Sequence, residues 1–241
     1  MQPEPRVVGV MLTRNRGAMA HQAIACFRAQ TYSNKRLLIL DSSEPADGTL
    51  PYGQVDATSV WMPDMCGKTV GELRNAANWC ASGWGEAEII IHLDSDDFSH
   101  PARFSEQVSL LRGSSGADCV GFNEMLFWRQ SISEAWLYRN PDPHYALGTS
   151  LCYWRQTWER KPFEATSQGE DHRFIAGLNV VSSENDSLQA AGPRMIARIH
   201  PGNTSTAYKP EAMQRESQKR NGMWKRVPEW DKYCDGIFRS A

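Results

Sequence analysis

A doubly wound α/β domain with a mostly parallel sheet is what this sequence predicts, and three observations carry that reading. Short apolar runs at residues 6–13 (RVVGVMLT), 35–41 (KRLLILD) and 87–93 (AEIIIHL) lack the polar alternation of a half-exposed strand, as strands covered on both faces do. Between them lie segments with apolar residues at helical spacing, joined by short polar turns. Thr13, Asp41 and Asp94 then fall at the carboxyl ends of the three runs, the edge at which such sheets bind ligands.

Taken in order, residues 6–13 form the first strand and the polar turn at 13–17 leads into a helix over 18–30, with Ala20, Ala23, Ile24 and Phe27 on one face. The second strand at 35–41 closes a right-handed βαβ unit and is followed by a turn-rich stretch, SSEPADGTLPYG. A short third strand is expected at 58–62, then a helix over 69–81 marked by Val70, Leu73, Ala77 and Cys80. Gly83 and Gly85 end it before the central strand at 87–93. Pro101 suits the first turn of the next helix, which Phe104, Val108 and Leu111 carry to Gly113.

The second half changes character. Strands rich in aromatic residues are expected at 118–129, 134–139 and 146–153, and a last strand at 194–199. One or two of Trp128, Trp136, Tyr138, Tyr153, Trp154 and Trp158 are expected to face a cleft as stacking platforms, with the others in the core. The organisation is a main domain over 1–209, divided into halves at 6–113 and 114–209, and a helical tail over 210–241 packed back on it through Trp224, Trp230 and Phe238.

Composition narrows the function. With 241 residues and a formal net charge of −2 there is no global basic field to hold a long nucleic acid. No run approaches the roughly 20 apolar residues that span a bilayer, so a soluble, cytoplasmic protein is expected. Six cysteines without a CxxC pair support neither a zinc ribbon nor a redox dithiol, and they read as small hydrophobes in a reducing compartment. Cys66-Gly67-Lys68-Thr69 is no phosphate-binding P-loop, because Met62 stands where that spacing needs glycine.

Asp94, Asp96 and Asp97 crowd three carboxylates at the end of the central strand. Hard oxygen ligands in that setting suit magnesium or manganese; the open alternative is an acidic turn capping the next helix. Their neighbours along the chain favour the first reading. Thr13-Arg14-Asn15-Arg16, Ala29-Gln30-Thr31-Tyr32, Asp41, Arg74-Asn75, Asp94-Ser95-Asp96-Asp97 and Gly169-Glu170-Asp171 occur in an order, over roughly residues 6–205, that resembles the family 2 glycosyltransferases.

That resemblance implies the GT-A fold and an inverting, metal-dependent transfer of a sugar from a nucleotide-diphosphate donor, a UDP-sugar first, to a hydroxyl acceptor. It places Asp41 on the base with Thr13 beside it, and Arg74 on the nucleoside side of the donor. Asp94 and Asp96 would hold a Mn2+ or Mg2+ ion with His200 as a further ligand, and Asp171 would be the general base. The acceptor is left open among a saccharide, a lipid-linked sugar and a modified nucleic acid, and no obligate protein partner is expected. Two competitors stand beside this reading: a nucleotidyltransferase, for which the turn after the first strand has too few glycines, and a non-catalytic carbohydrate- or nucleic-acid-binding module on a transferase scaffold.

Overall fold

The computed structural model describes residues 3–44, 50, 57–185, 192–203 and 223–239. Its first half runs β1 (Val7–Thr13), α1 (Gly17–Arg28), β2 (Lys35–Asp41), β3 (Ala57–Trp61), α2 (Val70–Gly83), β4 (Ile89–His92), β5 (Phe98–Ser99) and α3 (Arg103–Gly113). The second half runs β6 (Cys119–Phe122), β7 (Glu124–Arg129), β8 (Glu134–Arg139), β9 (Cys152–Trp154), α4 (Arg155–Arg160), α5 (Glu170–Ile175), β10 (Val180–Ser183), β11 (Met195–Ile199), β12 (Trp224–Arg226) and α6 (Asp231–Arg239). Most of the turn-rich stretch after β2, residues 204–209 at the end of the expected main domain and residues 210–222 of the expected helical tail lie outside the described residues.

Seven strands make the main sheet, in the order β10-β6-β9-β4-β1-β2-β3. All its pairs are parallel except the two made by β9, so the anticipated mostly parallel sheet flanked by helices is present. The uninterrupted apolar runs have a direct cause. Val7, Met11, Ile39, Ile89 and Ile91 point to the face that α1 and α3 cover with Ile24, Phe27 and Phe104. Val8, Val10, Leu38, Leu40 and Ile90 point to the other face, under Ala77, Cys80 and Ala81 of α2 and Phe174 of α5. Burying each such aliphatic side chain is worth about 1.5–3 kcal/mol, so both faces select apolar residues at every position.

A second sheet, ordered β12-β8-β7-β11-β5, packs its Leu126, Trp128, Leu137 and Ile196 under α6. Two of the expected strands differ from this arrangement. Residues 118–129 are not one strand: β6 belongs to the main sheet and β7 to the second, and the chain crosses between them at Asn123, whose N–H donates to the Ser183 carbonyl while its carbonyl accepts from Asn140. Residues 146–153 are extended only at β9, because Gly148–Ser150 forms a single 3-10 turn whose carbonyls are taken by side chains rather than by a neighbouring strand. The tail is helical at α6, but β12 precedes it as an edge strand paired with β8. Short β5 and β10 carry too few residues to register as apolar runs.

The six cysteines are free, and all but Cys66 are buried. Among the described residues, no helix is long and apolar enough to cross a membrane.

Candidate active site at the carboxyl edge of the main sheet

A cavity of about 890 Å3 opens where β1 and β4 end, and Thr13, Arg74, Asp94, Asp96, Asp171 and His200 all line it. Six of the seven residues singled out from the sequence are thereby brought together from β1, α2, the loop after β4, α5 and the end of β11. The seventh, Asp41, is fully buried at the end of β2 and is not among the lining residues; its carboxylate accepts from the N–H of Ser43, and Ser42 reaches the cavity instead. None of the six aromatic residues expected to supply a stacking platform lines the cavity. Trp128 is committed to the core under α6, and Tyr153 packs on Phe163 and Phe174 behind the site.

Asp96 is the most heavily engaged acid. Its Oδ2 accepts from Arg16 Nη1 at 3.1 Å, His200 Nε2 at 2.9 Å and Asn203 Nδ2 at 3.1 Å. Burial opposes its ionisation, and the hydrogen bond from His200 with the charge of Arg16 outweighs burial, so its pKa is lowered. Arg16 also donates to the Gly202 carbonyl, tying the turn after β1 to the turn after β11. Asn15, at φ 54°, sets that first turn in a conformation asparagine tolerates, and its N–H donates to Ser43. Asp97 turns the opposite way, accepting from Thr149 Oγ1 at 2.6 Å and from the N–H of Arg198 at 3.0 Å. Burial, reinforced by the charges of Asp96 and Asp94, raises its pKa well above the usual carboxylate range.

Arg74 stands between the two acidic groups of the site. Its Nη2 lies 3.8 Å from Asp94 and its Nε 3.6 Å from Glu170, while Nε and Nη1 are buried without a hydrogen-bond partner among the described residues. A guanidinium with unspent donors facing a cavity is a ready anion-binding group. Burial raises the Glu170 pKa even with Arg74 beside it. Helix α2 is held in place for this by a capping box, Thr69 and Glu72 bonding each other's backbone N–H, and the Thr-x-x-Glu pattern that makes it is visible in the sequence.

A divalent cation fits part of the expected set. Asp96 Oδ2 and His200 Nε2 are 2.9 Å apart, close to the roughly 3 Å between adjacent ligands of an octahedral ion bound at about 2.1 Å. Asp94 does not join them, since it faces Arg74, and among the described residues no group of three or more His, Cys, Asp or Glu side chains is arranged to hold a metal. The N–H of Gly202 donates to His200 Nδ1, so Nε2 carries the proton given to Asp96, and metal ligation by His200 requires that proton to move. The residues present thus offer a divalent cation two ligands, and the rest of its coordination would have to come from elsewhere.

Sequence reading gave no role to Arg16 and Lys68, cationic lining residues, and missed the Gly148–Thr149 turn that lines the same cavity. It also gave no role to His92, which burial, then the nearby charge of Arg74, holds well below its usual pKa. The only signal for His92 was a polar residue closing an isoleucine run.

No protein-family model matches the sequence, and no curated protein matches it. Solved structures do. S. aureus TarS 1-349 in complex with UDP-GlcNAc superposes with a TM-score of 0.60 at 13% identity, covering 82% of this chain and 60% of that one. A crystal structure of S. aureus TarS gives 0.58 at 14% identity, covering 81% and 37%. The mannosyltransferase PcManGT from Pyrobaculum calidifontis, in complex with GDP-Man and Mn2+, gives 0.58 at 15% identity, covering 96% and 68%. This chain thus spans between about two fifths and two thirds of the length of those proteins. At these identities the likeness is one of architecture: the chain has the fold of these structures.

Proposed function

We propose that the chain is a nucleotide-sugar glycosyltransferase of the GT-A type, transferring a sugar with inversion from a nucleoside-diphosphate donor to a hydroxyl acceptor. The observation that carries this reading is the single cavity in which Arg74, Asp94, Asp96, Asp171 and His200 converge at the carboxyl edge of a parallel sheet. Thr13, with a buried hydroxyl that has no partner among the described residues, and the β2 end at Asp41 would form the nucleoside side; residues 6–113 would be the donor half and 114–209 the acceptor half. Arg16, Lys68 and Arg74 would face the diphosphate, whose charge grows as the sugar bond breaks.

Asp171 would act as general base. The acceptor oxygen forms a bond to the anomeric carbon, the bond from that carbon to the diphosphate oxygen breaks, and the acceptor proton passes to the Asp171 carboxylate. Asp96 and His200 would hold a Mn2+ or Mg2+ ion, which when bound offsets charge on the leaving diphosphate. UDP-GlcNAc and GDP-Man, the donors in the structures this fold matches, are the first to test.

Thermal unfolding with UDP-GlcNAc, GDP-Man, UDP and GDP, each with Mn2+, Mg2+ or chelator, tests the donor site. A ligand at 100 times its dissociation constant adds about 2.7 kcal/mol to the native state and raises the midpoint visibly. Asp171→Asn is expected to keep that shift and lose sugar transfer. If no nucleotide moves the midpoint of the folded protein, the donor-site reading is wrong; if a donor binds and no acceptor hydroxyl, water included, ever takes the sugar, the chain is a binding module.

A further inference from the structure

The turn at Gly148–Ser150, on the floor of the cavity, is held from behind by an unusual set of buried side chains. Four successive carbonyls each meet a side-chain donor: Leu147 accepts from Ser150 Oγ at 2.7 Å, Gly148 from His92 Nδ1 at 2.7 Å, Thr149 from Arg103 Nη2 at 3.3 Å and Ser150 from Gln107 Nε2 at 2.7 Å. A carbonyl can only accept, so His92 Nδ1 carries the ring proton. Its Nε2 is then left to accept from Tyr153 OH at 3.0 Å, and that hydroxyl oxygen accepts from Asn78 Nδ2 at 2.9 Å. Asn78, Tyr153 and His92 are fully buried, where an unmatched polar group is costly; both ring nitrogens of His92 and the Tyr153 hydroxyl are matched, while Asn78 Oδ1 has no partner among the described residues. After Ile89, Ile90 and Ile91 the strand β4 ends on this histidine rather than on a fourth aliphatic residue. The polar relay is explained by what it holds.

What it holds carries Asp171. Gly148 has no side chain, and a methyl group added there would collide with Asp171 Oδ2, so that carboxylate rests directly on the Gly148 backbone. The other carboxylate oxygen, Oδ1, accepts from the N–H of His172 at 2.8 Å. The same turn reaches the acidic motif on its other side, through Thr149 Oγ1 to Asp97. We propose that His92 is a positioning residue for the transfer: through the Gly148 carbonyl it fixes the height of the turn on which Asp171 rests, and so the reach of that carboxylate to the acceptor hydroxyl. This inference rests on the reading of Asp171 as the base.

The test is steady-state kinetics with a donor and acceptor found as above, on His92→Phe, His92→Asn and Tyr153→Phe, each checked for folding by circular dichroism. His92→Phe removes the donor to Gly148, whereas His92→Asn offers an amide N–H where Nδ1 stood. A carboxylate displaced by about 1 Å loses on the order of 100-fold in rate, so His92→Phe is expected to lower kcat by roughly 10- to 100-fold. Its donor KM should stay within about twofold of the parent's, and His92→Asn should recover most of the loss. Tyr153→Phe keeps the ring packing and removes only the hydroxyl that orients His92; it should fall between parent and His92→Phe, and it decides the matter if His92→Phe does not fold. Parental kcat in a folded His92→Phe or Tyr153→Phe variant overturns the proposal, as does a loss that His92→Asn does not recover. If the parent protein transfers no sugar, the reading of Asp171 fails separately. Amide hydrogen exchange over residues 147–151 then decides the placement: faster exchange in Tyr153→Phe than in the parent supports the relay, and unchanged exchange refutes it.

Discussion

Asp96 and Asp97 are neighbours in sequence with opposite electrostatic lives. Asp96 ionises more readily folded than unfolded, so its contribution to stability is present above the unfolded pKa of about 4 and is lost as pH falls through the lower, folded value. Asp97 ionises less readily folded than unfolded, because burial and the neighbouring charges of Asp96 and Asp94 disfavour its charged form, so its contribution is present at low pH and is lost as pH rises above about 4 towards its raised folded value. Urea unfolding in chelator across pH 3–8 should separate them. Asp96→Asn is expected to flatten the acid limb of the stability profile, and Asp97→Asn to gain stability over the parent as pH rises; equal profiles for the two variants would remove this assignment. At this scale the sequence was legible only as far as a shared location: Arg74, Asp94, Asp96 and Asp171, picked out by their order along the chain, line one cavity. It was not legible at His92 and Gly148, whose importance lies in contacts with residues 56 and 23 positions away, an arrangement only the fold creates.

Helix α2 shows how an element is anchored as a unit. Its capping box fixes where it begins, and the N–H groups of Val70 and Gly71 donate to Ser167 and Thr166, on the loop that leads into α5. A side chain at position 71 would run into the Glu164 carbonyl, so only glycine lets helix and loop meet this closely. Gly71→Ala is expected to cost about 1–3 kcal/mol through forced backbone displacement. It should also weaken donor binding, because it moves the element that bears Arg74; a variant with parental urea midpoint and nucleotide affinity would contradict both. Elements buried on two faces, β1, β2 and β4, could be read almost to the residue because burial leaves apolar side chains nowhere to alternate. The crossing at Asn123 could not, since each side of it is apolar and only the identity of the partner strand changes.

Over the whole molecule, α6 closes the second sheet. Its Cys234, Ile237 and Phe238 pack on the Leu126 and Trp128 face, Gln22 of α1 donates to the Ile237 carbonyl, and Arg198 of β11 lies 4.3 Å over the Phe238 ring. Removing residues 228–241 exposes several side chains worth about 1.5–3 kcal/mol each, a sum comparable with the 5–15 kcal/mol that holds a typical domain folded. The shortened chain is expected to be unfolded or to bind a hydrophobic dye; a parental melting midpoint would show the helix to be dispensable. The turn at Gly148–Ser150 carries a consequence for heredity. Since His92, Arg103 and Gln107 are spent on the carbonyls of one turn, relatives of this protein should inherit them together with the glycine at 148, and lineages that change one should change the others. Lining residues such as the exposed Ala18 are free of that bond and are where descendants would drift first.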